Sequence, residues 1–241
     1  MIIFREIDAC DSILDGIALV RLLDYLAQKF KDFPDGLPLT KGGSFKRNLV
    51  AEAITAVQWP SWTETEIYNG YFPIKVADEQ HFEPLWLLHT RLLNMRLARH
   101  FKGRLKPTKL GKSVLANRFE RFNAVVQHTL FEDVHLIEMR QRSGLIGTWD
   151  IWLNVIDITA THGISGRDLT DTLYGVEPEP SEFDIRTSRL YDGVLQPLMY
   201  CGLIEENKSQ GIKLVDRVYS HTRLWKRYLR LDERKPDLRI V

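Results

Sequence analysis

The fold is decided by residues 82–111, which read FEPLWLLHTRLLNMRLARHFKGRLKPTKLG. Leucines recur at helical spacing behind a proline in the first turn, and this pattern predicts a helix from about residue 82 to residue 95. The next ten residues place polar and apolar side chains on both sides of Gly103, which predicts a tight β-hairpin. Thr108 then stands where it can cap a following helix. Helix, hairpin and helix in this order are typical of a winged-helix-like module.

The same order of elements recurs in the second half of the chain. Capped helices follow Thr148 and Ser165, a long helical pattern runs from residue 183 to residue 200, and a second hairpin lies between residues 203 and 220. The helix that Thr108 caps is predicted to run on, without interruption, as a long linking helix that ends near residue 144, and the boundary between modules is expected between residues 118 and 144. We therefore expect a mainly α (α+β) protein of two winged-helix-like modules in tandem, each with a small β-hairpin, over residues 1–144 and 145–241.

Composition places the chain among folded globular proteins, since 44% of its 241 residues are hydrophobic and 27% are charged. Charged residues interrupt every apolar stretch, so the sequence predicts no membrane-spanning segment, and the first residues lack the pattern of a signal peptide. Cys10 and Cys201 have no neighbours at metal-ligand spacing. Two isolated thiols are typical of a reducing compartment, and we expect a cytoplasmic location.

The net charge of +1 conceals blocks of opposite sign. Residues 91–118 contain nine Lys or Arg and no Asp or Glu, whereas residues 8–35 and 167–192 are acidic. Basic side chains on a helix, a hairpin and a second helix can contact the phosphates of DNA, with release of counterions. The predicted nucleic-acid-binding residues are Arg91, Arg96, Arg99, Lys102, Arg104, Lys106, Lys109 and Lys112.

Two alternatives to DNA binding stay open at this stage. The basic block can pair with the acidic blocks of the same chain, or it can bind an acidic partner in a protein-interaction scaffold. Within the predicted helix 82–95, His89, Arg91 and Asn94 are candidate base-contacting positions. The long helix of the second module carries acids that repel phosphate, so we expect that module to contact a protein partner or to form a homodimer.

No residue pattern predicts catalysis or a bound cofactor. Glu132, His135 and Glu138 share a helical spacing, but a metal site would need ligands from further helices. Neither Ser143-Gly144 nor Ser165-Gly166 lies in the Gly-x-Ser-x-Gly context of a nucleophile. We therefore expect a non-enzymatic function without a metal or cofactor.

Part of the chain resembles a known family. Leu39-Thr40, Phe82-Glu83-Pro84-Leu85, Lys102-Gly103-Arg104-Leu105, Thr108 and Gly111 are similar to the helical, winged region of bacterial plasmid open-reading-frame-three-like proteins, over roughly residues 37–115. The resemblance implies a fold and a plasmid or mobile-element context. It implies no catalytic residue.

Overall fold

The computed structural model describes residues 2–70, 73–177, 183–207 and 212–231, which divide into two units. The N-terminal unit comprises Asp8–Ile137 and Tyr200–Gly202, and the C-terminal unit comprises Met1–Ile7, Glu138–Met199 and Leu203–Val241. Helices predominate in both units, and the strand pairings among the described residues are antiparallel. The mainly helical α+β class and the two-unit layout predicted from the sequence are confirmed.

The first strand, β1 (Ile2–Phe4), pairs with β8 (Leu229–Leu231), so that Phe4 lies opposite Leu229. The aromatic rings of Phe4 and Tyr228 are 5.0 Å apart between centroids, and they reinforce the pairing. This differs from the predicted division at residues 144 and 145, which kept residues 1–7 with the N-terminal module. Strand pairing between positions so distant in sequence leaves no local sequence signal, and a contiguous division could not include it.

The N-terminal unit has the order helix, strand, three helices, hairpin and two helices. Its elements are α1 (Ala18–Asp32), β2 (Leu37–Pro38), α2 (Arg47–Val57), α3 (Glu64–Asn69), α4 (Glu83–Asn94), β3 (Ala98–Phe101), β4 (Arg104–Pro107), α5 (Lys109–Ala116) and α6 (Arg118–Gln127). The three strands form a sheet in the order β2-β4-β3. The predicted helix, hairpin and Thr108-capped helix of residues 82–111 are confirmed as α4, β3–β4 and α5.

Apolar stripes of the helices supply the core of this unit, because their buried residues recur every three or four positions. The fully buried side chains include Leu14, Leu19, Val20, Leu22, Leu23, Leu26, Leu37, Phe45, Val50, Ala53, Ile54, Val57, Phe82, Leu85, Leu88, Leu92, Leu105, Phe122, Val125, Val126 and Leu130. The hairpin joins this core through Leu105, whose side chain points inward from β4.

The predicted long linking helix is wrong, because two short polar side chains interrupt it. Asn117 has an extended backbone and accepts hydrogen bonds from the amides of Phe119 and Glu120, which ends α5 and caps α6. A π-helical turn, His128–Glu132, follows α6, and the extended residue Asp133 separates this turn from α7 (Val134–Ser143). Asn and Asp compete for backbone amides in this way, and they favour caps over helix interiors.

The C-terminal unit repeats the order of helix, strand, helices and hairpin. Its elements are α8 (Trp149–Thr159), β5 (Ile164–Ser165), α9 (Gly166–Tyr174), α10 (Ile185–Leu190), α11 (Gln196–Tyr200), β6 (Ile204–Asn207), β7 (Val218–His221), α12 (Arg223–Tyr228) and β8. Its sheet has the order β5-β7-β6, which corresponds to β2-β4-β3 of the other unit. A π-helical turn, Tyr191–Leu195, divides the predicted helix of residues 183–200. Residues 208–211, between β6 and β7, lie outside the described residues.

Candidate nucleic-acid interface

The hairpin β3–β4 has one apolar face and one cationic face. Ala98 and Leu105 are buried on the inner face. Because side chains alternate along a strand, Arg99 and Phe101 of β3 share the opposite face with Arg104 and Lys106 of β4. The register places Arg99 opposite Lys106 and Phe101 opposite Arg104. The outer face of the hairpin therefore carries three cations around one aromatic ring.

A two-residue turn sets this register. Lys102 and Gly103 have φ values of 49° and 70°, both in the left-handed region that two-residue hairpins with a type I′ turn require. Glycine adopts this conformation without steric cost, and Lys102 is held at the tip of the hairpin with its side chain exposed.

Arg99 and Lys106 are directly opposite each other, an arrangement that destabilises a sheet because the two charges repel. The charge of Lys106 is balanced by Asp35, with 3.6 Å between Nζ and Oδ1. Arg104 donates a hydrogen bond to the carbonyl oxygen of Gly36 at 3.0 Å. Arg99 has no ion pair with a carboxylate in the part of the chain that the structure describes. A bound anion would therefore relieve the repulsion at Arg99.

A depression of about 430 Å³ lies between the hairpin and α5. It is lined by Arg99, Pro107, Thr108, Lys109 and Lys112. The Thr108 side chain accepts a hydrogen bond from the amide of Gly111 at 3.0 Å and donates to the carbonyl of Arg96 at 2.8 Å. The depression thus brings three basic side chains together beside the amino end of α5.

Gly111 allows α5 to pack this closely against the chain that leads into β3. A Cβ atom on Gly111 would come within 1.8 Å of the Leu97 carbonyl oxygen, so only glycine fits this position. The position of Lys109 and Lys112 relative to the hairpin is therefore set by backbone packing.

Five of the predicted binding residues are exposed and have no ion pair among the described residues. They are Arg96, Arg99, Lys102, Lys109 and Lys112. Arg118 differs from them, because it lies 2.7 Å from Asp15 and 3.0 Å from Asp24. Pairing with the acidic block of residues 8–35 therefore occurs at Arg118 and Lys106, and the five exposed cations named above stay open to solvent.

Arg91 is not part of this surface, and its assignment to the predicted site is corrected. Its side chain is 4% exposed, with Nε 3.1 Å from Oδ2 of Asp133 and the guanidinium carbon 4.3 Å from the centroid of the Tyr200 ring. Burial of the Tyr200 hydroxyl raises its pKa to about 12, although the charge of Arg91 lowers this pKa. Arg91 follows Leu88 by three residues, so it shares the buried stripe of α4 and serves the core.

His89 is also buried, and it belongs to a chain of three polar groups that the sequence did not predict. Its Nδ1 lies 2.7 Å from Oε1 of the buried Glu79, and its Nε2 lies 3.0 Å from Nε2 of His100 on β3. A carboxylate can only accept, so Nδ1 of His89 donates to Glu79, and a single proton lies between the two Nε2 atoms. Glu79 also accepts from the amide of Phe45. This chain of hydrogen bonds fastens the hairpin to α4 and to the loop before α2.

The exposed face of α4 consists of Trp86, Thr90 and Asn94, spaced four residues apart. Of the three predicted base-contacting positions, only Asn94 is on this face, because His89 and Arg91 point into the core. Thr90 joins Asn94 as a polar side chain that a ligand can reach. An asparagine amide can donate to and accept from one adenine edge.

Three acidic side chains of the C-terminal unit form ion pairs within that unit. Asp171, Glu177 and Asp184 converge on Arg186, with nitrogen–oxygen distances of 3.3, 2.8 and 2.8 Å. Hydrogen bonds from Arg186 are the largest cause of the lowered pKa of Asp184. The helical segment before the second hairpin therefore has a cluster of paired charges, whereas Arg99, Lys102, Lys109 and Lys112 have no ion pair among the described residues.

Metal-ligating residues show no grouping of three or more in the part of the chain that is described. Glu132 faces His128 at 3.5 Å, and Glu138 pairs with Arg142 at 2.7 Å. Burial raises the pKa of the Cys201 thiol to about 12, so this thiol is poorly suited to metal binding or nucleophilic attack. Among the described helices, none combines the length and apolarity needed to cross a bilayer.

Fold and surface together define a two-unit α+β protein with a cationic hairpin in its N-terminal unit. Two family models match the chain, described as the Y4jL N-terminal domain over residues 17–120 and the y4jL C-terminal domain over residues 139–223. A similar protein from Sinorhizobium fredii, named uncharacterized protein y4jL, is 30% identical over 155 residues, which cover 63% of this chain and 69% of that protein. The chain therefore belongs to the y4jL family.

No solved structure matches the chain. The two family domains fall on the two structural units, with the gap between them at residues 121–138. The N-terminal match covers all of residues 37–115, where the sequence resembles plasmid open-reading-frame-three-like proteins, but neither matched model carries that description. The plasmid context therefore stays a prediction.

Proposed function

We propose that the N-terminal unit is a winged helix that binds duplex DNA without catalysis, through its hairpin and α5. The order helix, strand, helices, hairpin and the strand order β2-β4-β3 support the winged-helix assignment. In such units the helix before the hairpin enters the major groove while the hairpin contacts the backbone. Here that helix is α4, with Thr90 and Asn94 outward. The unpaired cations around the depression carry the proposal.

Phosphate is the ligand that this surface fits best. Arg99 stands opposite Lys106 without a carboxylate of its own, and Lys109 and Lys112 face the same depression. Each phosphate that these cations neutralise releases counterions, so binding becomes weaker as salt rises. DNA binding would agree with the cytoplasmic location predicted from the sequence, and a regulatory role in a plasmid or mobile element would follow the resemblance of residues 37–115.

The test measures affinity for a random-sequence duplex by fluorescence anisotropy between about 50 and 200 mM salt. In the variant with Arg99, Lys109 and Lys112 replaced by Ala, the slope of log K against log salt should fall in magnitude by about 2 to 3, since each phosphate contact contributes about 0.9. The matched control replaces Lys46, Arg47 and Lys75, which are exposed cations of the same unit outside the depression. Its slope should change by less than about 1.

Two results would overturn the proposal. The first is a wild-type protein that fails to bind duplex DNA at the lowest salt. The second is an equal change of slope in both triple variants, because net charge alone would then explain the attraction. Circular dichroism of each variant shows whether the fold is retained.

The alternative is a protein-interaction scaffold, and one observation on the C-terminal unit favours it. Ile151 and Ile158 lie two turns apart on α8 with exposed side chains, and exposed apolar residues on one helix face favour contact with protein. On this alternative the cationic hairpin would bind a carboxylate-rich partner. Competition separates the two functions, since poly-glutamate should displace labelled DNA poorly if phosphate spacing is recognised and well if negative charge alone suffices.

A further inference from the structure

Phe101 is an exposed aromatic residue at the end of β3, directly before the turn. Its side chain is 41% exposed. The cationic groups of Arg99, Lys102 and Lys106 lie 5.3, 5.4 and 5.7 Å from the centroid of its ring. No aromatic partner contacts this ring among the residues that the structure describes. Three cations thus surround a ring that is open to solvent.

Core packing does not account for this ring. The inner face of the hairpin is occupied by Ala98, His100 and Leu105, and alternation along β3 turns Phe101 away from them. An exposed phenylalanine contributes less hydrophobic stabilisation than a buried one. On the outer face, Phe101 therefore adds little to the stability of the fold. A flat apolar surface surrounded by cations is suited to a ligand that is itself flat and carries phosphates.

We propose that Phe101 stacks on an unpaired nucleobase while Arg99, Lys102 and Lys106 contact the adjoining phosphates. Aromatic side chains interleaved with basic ones are the general means of binding single-stranded nucleic acid, because every base has a π face. The bases of a duplex are covered by their neighbours above and below, so a ring on a hairpin reaches a base face only where pairing is open. This inference rests on the proposed DNA binding and specifies that the DNA bound at the hairpin is unpaired.

The test compares oligodeoxythymidine of about 12 nucleotides, within the usual site size, with a duplex of equal length. Phe101→Leu keeps the apolar bulk and removes the π face, so it should weaken binding to the single strand by about 5- to 150-fold. Its affinity for the duplex should change less than about 3-fold, and Phe101→Trp should retain both affinities. A fluorescent base analogue in the oligonucleotide should be quenched by wild-type protein and not by Phe101→Leu.

Phe33→Ala is the matched control. Phe33 belongs to the same unit, is 40% exposed, and has no cation over its ring among the described residues. Its replacement should leave both affinities unchanged. Melting of each variant, followed by circular dichroism, shows that the hairpin is still folded.

The outcomes are distinguishable. Equal loss of single-strand and duplex affinity in Phe101→Leu overturns stacking, and so does unchanged single-strand affinity. A wild-type protein that binds duplex but not oligodeoxythymidine also overturns the inference, while the proposed function stands. A wild-type protein that binds neither removes the proposed function together with this inference.

Discussion

A charged residue can belong to the core when its partner is buried with it, and Arg91 is the example in this chain. Its guanidinium lies between Asp133, at 3.1 Å, and the ring of Tyr200. Asp133 comes 42 residues later in the chain. Asp133 therefore has two structural roles, because it pairs with Arg91 and also separates the π-helical turn from α7. A basic block in a sequence is thus an unsafe guide to a basic surface.

Replacing Arg91 by Leu should destabilise the N-terminal unit by about 3–5 kcal/mol, because Asp133 is left buried without a counter-charge. Chemical denaturation measures the loss. Arg96→Ala, an exposed cation one turn away, should change stability by less than about 0.5 kcal/mol. The double variant Arg91→Leu, Asp133→Leu should recover part of the loss, since it removes the lone charge. A cost below about 1 kcal/mol for Arg91→Leu would contradict the structural role.

At the scale of elements, the sequence predicted those segments whose signals are local. Proline in the first turn, a leucine stripe, the Lys102-Gly103 turn and the Thr108 cap each lie within a few residues of the element that they define. The break of the linking helix at Asn117 and Asp133 was missed, because both residues interrupt a pattern that remains helical on either side. A side-chain oxygen competing for backbone amides changes the structure without changing the periodicity.

The candidate site was predictable in its charges but not in its arrangement. Arg99, Lys102, Lys109 and Lys112 were predicted from the distribution of charge along the sequence. The ring of Phe101 could also have been predicted to lie beside Arg99, because residues two positions apart share one face of a strand. The contact of His89 with Glu79 could not, since no spacing rule joins Glu79, in the 3-10 helix Glu79–His81, to the buried side of a helix ten positions later.

The pKa of His100 provides a test of how the hairpin is attached. Loss of solvent around its ring is the main cause of a pKa below the usual value of about 6.5, and His89 lowers the pKa further while Glu79 raises it. Between the folded and unfolded pKa values the unfolded chain binds more protons. The contribution of His100 to the free energy of unfolding is therefore fully present above about pH 6.5 and is lost as pH falls below that value.

We expect His100→Gln to flatten the dependence of melting temperature on pH between about pH 5 and pH 7, because glutamine does not titrate. His135→Gln is the control, since His135 is an exposed histidine of the same unit. The lowered pKa of His221 in the C-terminal unit acts in the same direction, and the comparison of variant with wild type cancels it. An unchanged pH dependence in His100→Gln would show that the ring of His100 does not contribute to the pH dependence of stability.

On the scale of the whole molecule, the two units have the same order of elements but different surfaces. Matching strand orders, β2-β4-β3 and β5-β7-β6, show that one topology is used twice. In the N-terminal unit, several cations have no ion pair among the described residues, whereas three acids of the C-terminal unit are gathered around Arg186. Neither unit is continuous in sequence, because the C-terminal unit includes β1, which precedes residues 8–137, and the N-terminal unit includes Tyr200–Gly202.

Removing residues 1–5 should destabilise the C-terminal unit by about 2–4 kcal/mol, through lost strand hydrogen bonds and the lost contact of Phe4 with Tyr228. Hydrogen exchange at the amides of β8 is the most direct measurement, since their protection should disappear. Ile3→Ala serves as the control, because this side chain is 41% exposed and its loss leaves the backbone pairing intact. Protection of β8 that survives the deletion would show that the pairing is dispensable.

The pairing of β1 with β8 has a consequence for how the protein is made. A ribosome releases Phe4 about 225 residues before Leu229, its partner in the register. At the usual 5–20 residues per second, β1 waits about 10 to 45 s for β8, while the intervening unit has time to fold. During that interval β1 is an unpaired apolar strand, Ile2-Ile3-Phe4, of the kind that chaperones bind. We therefore expect the yield of correctly folded protein to depend on the rate of synthesis as well as on stability.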